Sequence, residues 1–152
     1  TPFLLMLDGL TDVRNFGAIL RTAECAGVHA VIIPRRNFAR VNEDTAKTSA
    51  GALYRIPLCR APNLEDAVEY LKKSGVQVVG VTEKTVAHYD EVDMQKPSAL
   101  VMGAEDKGIS PKLLQKMNFL AKIPMAGQIE SLNVSVAAGV MIYEVVRQRR
   151  KA

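Results

Sequence analysis

Three short stretches carry the residue types that chemistry needs, and each sits in a turn beside an apolar run. The first is Asn15-Phe16-Gly17-Ala18-Ile19-Leu20-Arg21, the second Gly103-Ala104-Glu105-Asp106-Lys107-Gly108, and the third Gly127 with Ser131 and Asn133. Asn15 and Arg21 bring an amide and a guanidinium. They also read as an N-cap and a surface helix residue, and their spacing of six, about 120° short of alignment on a helix, does not separate the readings. Glycines such as Gly103 and Gly108 in a strand-to-helix turn let a ligand approach the backbone closely, although two acids beside a lysine equally suit a solvated loop. Ser131 and Asn133 ahead of a helix are N-cap types, because their oxygens accept the unpaired N–H groups of the first turn. Ligands of open α/β sheets bind outside the carboxyl ends of strands. The pattern therefore points to a small-molecule site at strand ends, acting on a polyanion. It contains no GxGxxG, no GxxxxGK[ST], no nucleophile elbow and no His/Cys cluster. His29 and His88 stand without sequence partners, and no metal site is expected.

The elements that must position these turns follow from the apolar runs. Phe3–Leu7, Ala30–Ile33, Ile56–Cys59, Val76–Val81, Ala99–Met102 and Phe119–Ile123 are too densely apolar for half-exposed strands and read as buried strands of a parallel sheet. Helices are expected from Asn15 to about Ala26, over Asn42–Leu53, from an Asn63 cap to Lys73, from Ser110-Pro111 to Met117, and from Asn133 to Arg147. Val86–Pro97 reads as irregular, with a helical turn near Tyr89. Strands alternating with helices imply an α/β fold with a mainly parallel six-stranded sheet and flanking helices, in one domain spanning residues 1–152. In the last helix Val134, Ala137, Ala138, Met141, Ile142 and Val145 form one apolar stripe, and Val136, Val140, Tyr143 and Val146 a second. A helix apolar nearly all round is covered on two sides. The sheet covers one, and a second subunit, contacted through Met141 and Val145, is expected on the other. Arg35, Arg36 and Arg40 around Phe38 read either as a solvated loop or as a phosphate-contacting surface with an aromatic beside it.

Composition narrows the class. With 48% hydrophobic and 24% charged residues the 152-residue chain is globular and long enough for a real core. No apolar run approaches the ~20 residues that span a bilayer, and the start lacks the basic region of a signal peptide. Cys25 and Cys59 form no metal-spaced cluster and are expected to be buried thiols, which suits a cytoplasmic protein. The net charge of +4 favours a polyanionic partner.

At its three polar stretches the chain resembles the SpoU (TrmH-like) family of RNA ribose 2′-O-methyltransferases, within the knotted SPOUT superfamily. NFGAILRTAECAG is similar to the family's first motif, LVMGAEDKGIS to its second and IPMAGQIESLNVSVAAGVMIYEVVRQR to its third. The likeness runs from about Phe3 to Arg149 and is nearest to the bacterial enzymes that methylate a guanosine ribose of large-subunit (23S) ribosomal RNA. The alternatives are a tRNA ribose 2′-O-methyltransferase and a non-catalytic RNA-binding module of the same fold. The family's small N-terminal RNA-binding domain is expected to be absent from this chain.

The resemblance implies S-adenosylmethionine as cofactor, a deep C-terminal trefoil knot and a homodimer through the knot region. It also implies site residues. Asn15, Arg21, Glu105, Ser131 and Asn133 are the polar catalytic set, and the cofactor lies against backbone at Gly103, Ile123, Met125, Leu132 and Ser135. Arginine stays protonated in proteins, so Arg21 is expected to stabilise the developing alkoxide rather than act as a base. Glu105 is expected to orient Arg21 and Asn15, while Ser131 and Asn133 hold the turn and contact substrate or cofactor.

Overall fold

The structure, a computed structural model, describes residues 1–150. Its centre is a pair of strands with no polar face, β1 (Phe3–Asp8) and β5 (Ser98–Gly103). They run parallel in a continuous register from Phe3↔Ser98 to Asp8↔Gly103, which sets the turns after both strands side by side. Successive side chains alternate between faces. Leu5, Leu7, Leu100 and Met102 enter one core, and Met6, Ala99 and Val101 enter the other.

Around this pair stand β2 (Ala30–Pro34), β3 (Leu58–Ala61), β4 (Gln77–Val81) and β6 (Phe119–Ala121). The sheet order is β3-β2-β1-β5-β4-β6, and every pairing is parallel rather than mainly so. Two helices cover one face, α1 (Val13–Cys25) through Phe16, Ile19, Leu20 and Ala23, and α5 (Val134–Arg150) through Met141, Ile142 and Val145. On the other face α3 (Leu64–Lys73) and α4 (Pro111–Leu114) contribute Leu64, Val68, Leu71 and Leu113. From edge strand β6 the chain crosses back past the β5 turn to lay α5 on α1. That path is compatible with the expected knot.

Several boundaries differ from expectation for identifiable reasons. Asp12, not Asn15, caps α1, since its Oδ1 accepts from the N–H of Arg14 at 2.8 Å and of Asn15 at 3.1 Å. The helix expected over Asn42–Leu53 is α2 (Glu43–Thr48) followed by a 3-10 turn at Ala52–Tyr54. Ala50 and Gly51 adopt positive φ (53° and 83°) and break it. β3 lies two residues later than expected, with Ile56 and Pro57 leading into it. Cys25 and Cys59 are exposed, not buried. Cys25 falls off the Phe16–Ile19–Ala23 stripe, and Cys59 lies on an edge strand.

The correction that matters most concerns α5. Met141 and Val145 are 1% and 0% exposed and belong to this chain's own core. The outward face is instead Val136 and Tyr143, 52% and 48% exposed, with Val140 half-buried beside them. Within one chain the helix is covered on the Met141–Val145 side, and the stripe left open is the Val136–Tyr143 one, not the one expected.

The last turns of α5 are keyed into segment 90–96. Glu144 is buried and held by Arg147 at 2.8 and 2.7 Å and by Gln148 at 2.9 Å. Gln148 in turn accepts from Met94 N–H and donates to the Val92 carbonyl. The Arg149 guanidinium donates to the carbonyls of Thr1, Pro2, Met94 and Lys96, all within 3.0 Å, and lies 5.2 Å from the centre of the Phe3 ring. One planar fork thereby ties the segments that lead into β1 and β5 to the final helix. Arg149→Ala removes charged hydrogen bonds and is expected to cost roughly 2 kcal/mol, a fall of about 4–8 °C in melting temperature for a chain of this size. Arg149→Lys recovers less than half of it, because an ammonium cannot reproduce the fork; thermal melts of the two variants check this.

Candidate active site

The aligned ends of β1 and β5 force the two turns that follow them into contact. Asp8 closes the arrangement, with its Oδ2 accepting from Ser110 N–H at 2.8 Å so that the turn 103–110 folds back over the sheet edge. Gly103 is required for this fold. A Cβ there would overlap the backbone of Gly108 and Ile109. The glycine expected to admit a ligand is thus first needed by the loop's own backbone.

Folded this way, the loop presents Glu105 to α1 and α5. Its Oε1 accepts from Asn15 Nδ2 at 2.8 Å, from Asn133 Nδ2 at 3.2 Å and, weakly, from Val134 N–H at 3.5 Å. Asn133 Nδ2 also reaches Asn15 Oδ1 at 3.3 Å. Because Asp12 caps α1, the Asn15 side chain is free for this contact. Asn133 does both jobs. Its Oδ1 caps α5, accepting from Ser135 N–H at 2.8 Å, from Ser135 Oγ and from Val136 N–H at 3.4 Å, which leaves its amide nitrogen aimed at Glu105.

Two clefts meet at Glu105. The larger, about 360 Å³, runs between the 103–108 turn and segment 122–132. Of the expected cofactor residues it is lined by Gly103, Ile123, Met125 and Leu132, together with Ser131. Ser135 is not on its wall and instead braces Asn133. The smaller, about 240 Å³, is lined by Gly9 to Asp12, Asn15 and Ala104 to Asp106. Sequence reading missed Asp8 and Asp12, which hold the turns in place. It also missed Thr82, Lys84, Lys122 and Glu130 on the larger cleft. For Thr82 and Lys84 a signal existed, since they directly follow a strand, as the recognised turns do.

Arg21 is not in this cluster. It sits six residues beyond Asn15 on α1, about 9 Å along the helix axis, and lines neither cleft. The expectation that Glu105 orients Arg21 therefore does not hold within one protomer; Glu105 orients Asn15 and Asn133. Arg21 is exposed, next to Thr22, whose methyl lies against Gly139 of α5. This stretch of α1 packs beside α5. Among the described residues no group of His, Cys, Asp and Glu could hold a metal ion, and no helix is long and apolar enough to cross a membrane.

Glu105→Gln keeps a carbonyl oxygen for the same donors and is expected to leave the melting temperature nearly unchanged. Glu105→Ala removes the acceptor shared by three elements and is expected to cost about 1–2 kcal/mol. Paired thermal melts separate the roles of oxygen and charge; equal losses in both variants would show that charge, not geometry, holds the turns.

The SpoU rRNA Methylase family matches residues 2–143. The 23S rRNA (guanosine-2'-O-)-methyltransferase RlmB of Pseudomonas aeruginosa is 46% identical over 148 residues, 97% of this chain and 60% of that protein. Among solved structures, the SpoU methyltransferase AviRb from Streptomyces viridochromogenes in complex with AdoMet superposes with a TM-score of 0.89 at 31% identity, over 98% of this chain and 61% of that one. The AdoMet-bound rRNA methyltransferase from Sinorhizobium meliloti also gives 0.89, at 34% identity over 96% and 56% of the two chains. The chain spans about three fifths of the length of the relatives it matches. A match over nearly all of its residues, on a sheet that brings the three polar turns together, means that this chain belongs to the SpoU rRNA methylase family.

Proposed function

We propose that the chain is the catalytic domain of an S-adenosylmethionine-dependent RNA 2′-O-methyltransferase that modifies a guanosine ribose of large-subunit ribosomal RNA in the cytoplasm. The observation that carries this reading is the Glu105–Asn15–Asn133 cluster at the boundary of two clefts, one for each reactant. The larger cleft fits the cofactor. Its volume lies in the range of ~300–1,000 Å³ usual for small-ligand sites. Met102, Ile123, Leu132, Val134 and Ala137 give it apolar walls for an adenine ring, and Glu105 and Glu130 supply negative charge for a sulfonium. Gly103, Ile123, Met125 and Leu132 would hold the group, with Ser131 at the wall and Ser135 steadying Asn133.

S-adenosylmethionine, when bound, supplies an electrophilic methyl group. The remaining work falls to the chain. Asn15 and Asn133, locked by Glu105 Oε1, form a rigid polar wall for the ribose in the smaller cleft. Oε2 of Glu105 has no protein partner among the described residues and can accept a hydrogen bond from the 2′-hydroxyl or from a water that carries its proton away. Arg21 stabilises the developing alkoxide as a fixed cation. Since it lies outside both clefts and is exposed on a stretch of α1 that packs beside α5, it acts across a homodimer formed through Val136, Val140 and Tyr143.

S-adenosylmethionine at a hundredfold excess over its dissociation constant is expected to stabilise the fold by about 2.7 kcal/mol; no thermal shift at millimolar ligand would refute the cofactor assignment. Arg21→Ala is expected to lower single-turnover methylation of the ribosomal RNA by ~100- to 1000-fold with cofactor binding intact. Arg21→Lys should be nearly as poor at every pH, because the oriented fork is lost. Mixing Arg21→Ala protomers with Glu105→Ala protomers should restore activity in the mixed dimer, whereas no rescue means that Arg21 serves its own protomer.

Light scattering is expected to give a dimer at micromolar concentration. Val136→Asp or Tyr143→Asp, by burying an unpaired charge in the contact, should give a folded monomer. A monomeric unmodified protein would remove the dimer from the reading.

A further inference from the structure

The smaller cleft presents an electrostatic problem for an RNA strand. Its charged lining is acidic, Asp12, Glu105 and Asp106, and no lysine, arginine or histidine lines it. A polyanion approaching it needs cations close by. The loop that follows β2 supplies them. Arg35, Arg36 and Arg40 are exposed or at the loop edge, and none makes an ion pair or a side-chain hydrogen bond among the described residues. Three other cations are used by the fold, Lys116 on Glu69, Arg147 on Glu144 and Arg149 on backbone carbonyls, and Arg14 and Lys107, beside the cleft in sequence, stand singly rather than as a cluster. Glu43 and Asp44 lie just beyond the loop but occupy the first turn of α2, where they suit the helix dipole.

The loop that carries these free side chains is itself tied down. Arg35 N–H donates to the Ala61 carbonyl at 3.0 Å, and Ala39 N–H donates to the Leu10 carbonyl at 2.8 Å. The buried Thr45 hydroxyl donates to the Arg40 carbonyl. Phe38 packs edge-on against Phe16, 4.9 Å between ring centres at 86°, and so belongs to the core rather than offering a face for a base. Leu10 lines the smaller cleft, so the contact from Ala39 fixes the arginine loop directly beside it. Three like charges within six residues repel one another, and a backbone pinned at this many points keeps them together. Arginine matches phosphate oxygens through its planar fork.

We propose that Arg35, Arg36 and Arg40 form a phosphate-binding ledge that holds the RNA backbone flanking the nucleotide in the smaller cleft, and so offsets the repulsion of its acidic lining. This rests on the reading of an RNA substrate given above.

The test is the salt dependence of binding to an unmodified large-subunit ribosomal RNA transcript, by fluorescence anisotropy, with S-adenosylmethionine binding measured in parallel. Each phosphate contact contributes about 0.7–0.9 to the slope of log K against log salt concentration. The triple variant Arg35→Ala, Arg36→Ala, Arg40→Ala is expected to lower that slope by about 2 and to keep cofactor binding and the melting temperature unchanged. The corresponding triple Lys variant should restore most of the slope but not the full affinity. Lys73→Ala with Lys112→Ala, on α3 and α4 across the sheet, should change the slope by less than half as much. A slope unchanged in the Ala triple variant, or lowered equally by the α3–α4 control, overturns the ledge while leaving the methyltransferase reading in place. Loss of cofactor binding by the unmodified protein instead removes that reading itself.

Discussion

One carboxylate oxygen, Oε1 of Glu105, joins three parts of the chain that are distant in sequence: the first turn of α1, the turn after β5 and the start of α5. The rest of the site depends on it. Accepting three donors at one point requires that the 103–108 turn fold back tightly, which Gly103 permits and the Asp8–Ser110 contact holds. It also requires that α1 and α5 be capped by other means, so that Asn15 and Asn133 have amide groups to spare. Asp12 meets that need for α1, and the opposite end of the Asn133 side chain meets it for α5. A polar cluster of this kind is worth having only when its members are satisfied, and here Glu105 and Asn133 each also accept from a backbone N–H.

The relation between the two clefts follows. Because Glu105 lies on both walls, whatever fills one cleft meets the same rigid group as whatever fills the other. Positioning two reactants against a single preorganised element converts an encounter into a local event. The acidic lining has a consequence outside the site. The exposed arginines Arg35, Arg36 and Arg40 stand on a neighbouring loop rather than in the cleft itself.

Much of this was legible in the sequence, and the remainder was not for definite reasons. Buried strands announce themselves by apolar density, so all six were recognised, and residues of the three polar stretches singled out beside them are ones the fold brings together. The partners within it were not legible. Whether Asn15 caps α1 depends on whether Asp12 does so first, and adjacent cap-forming residues compete on equal terms in one dimension. Arg21 and Glu105 belong to neighbouring motifs, but an α-helix carries a residue six positions on well out of reach, and only the fold reveals that distance. For α5, two apolar stripes were visible, but not which of them this chain covers itself. Met141 and Val145 lie under the sheet-side layer, and Val136 and Tyr143 do not. Cys25 and Cys59 were misread for a related reason: residue type predicts average burial, whereas the phase of a helix or the edge of a sheet decides the individual case.

The grip of Arg149 on the carbonyls of Thr1 and Pro2 has a consequence for the order of assembly. A sheet of parallel strands is built from non-local pairings, which form slowly because loop closure precedes any gain. Here the closing contact joins residues 148 positions apart, and Asn133 and Val134 reach Glu105 only with the helix that carries Arg149. A nascent chain emerging from its amino end can pair β1 with β2 early, but the polar cluster has no third member until α5 arrives. Completion of the fold and completion of the site are therefore one event, and a chain stalled before α5 has the sheet centre without the site.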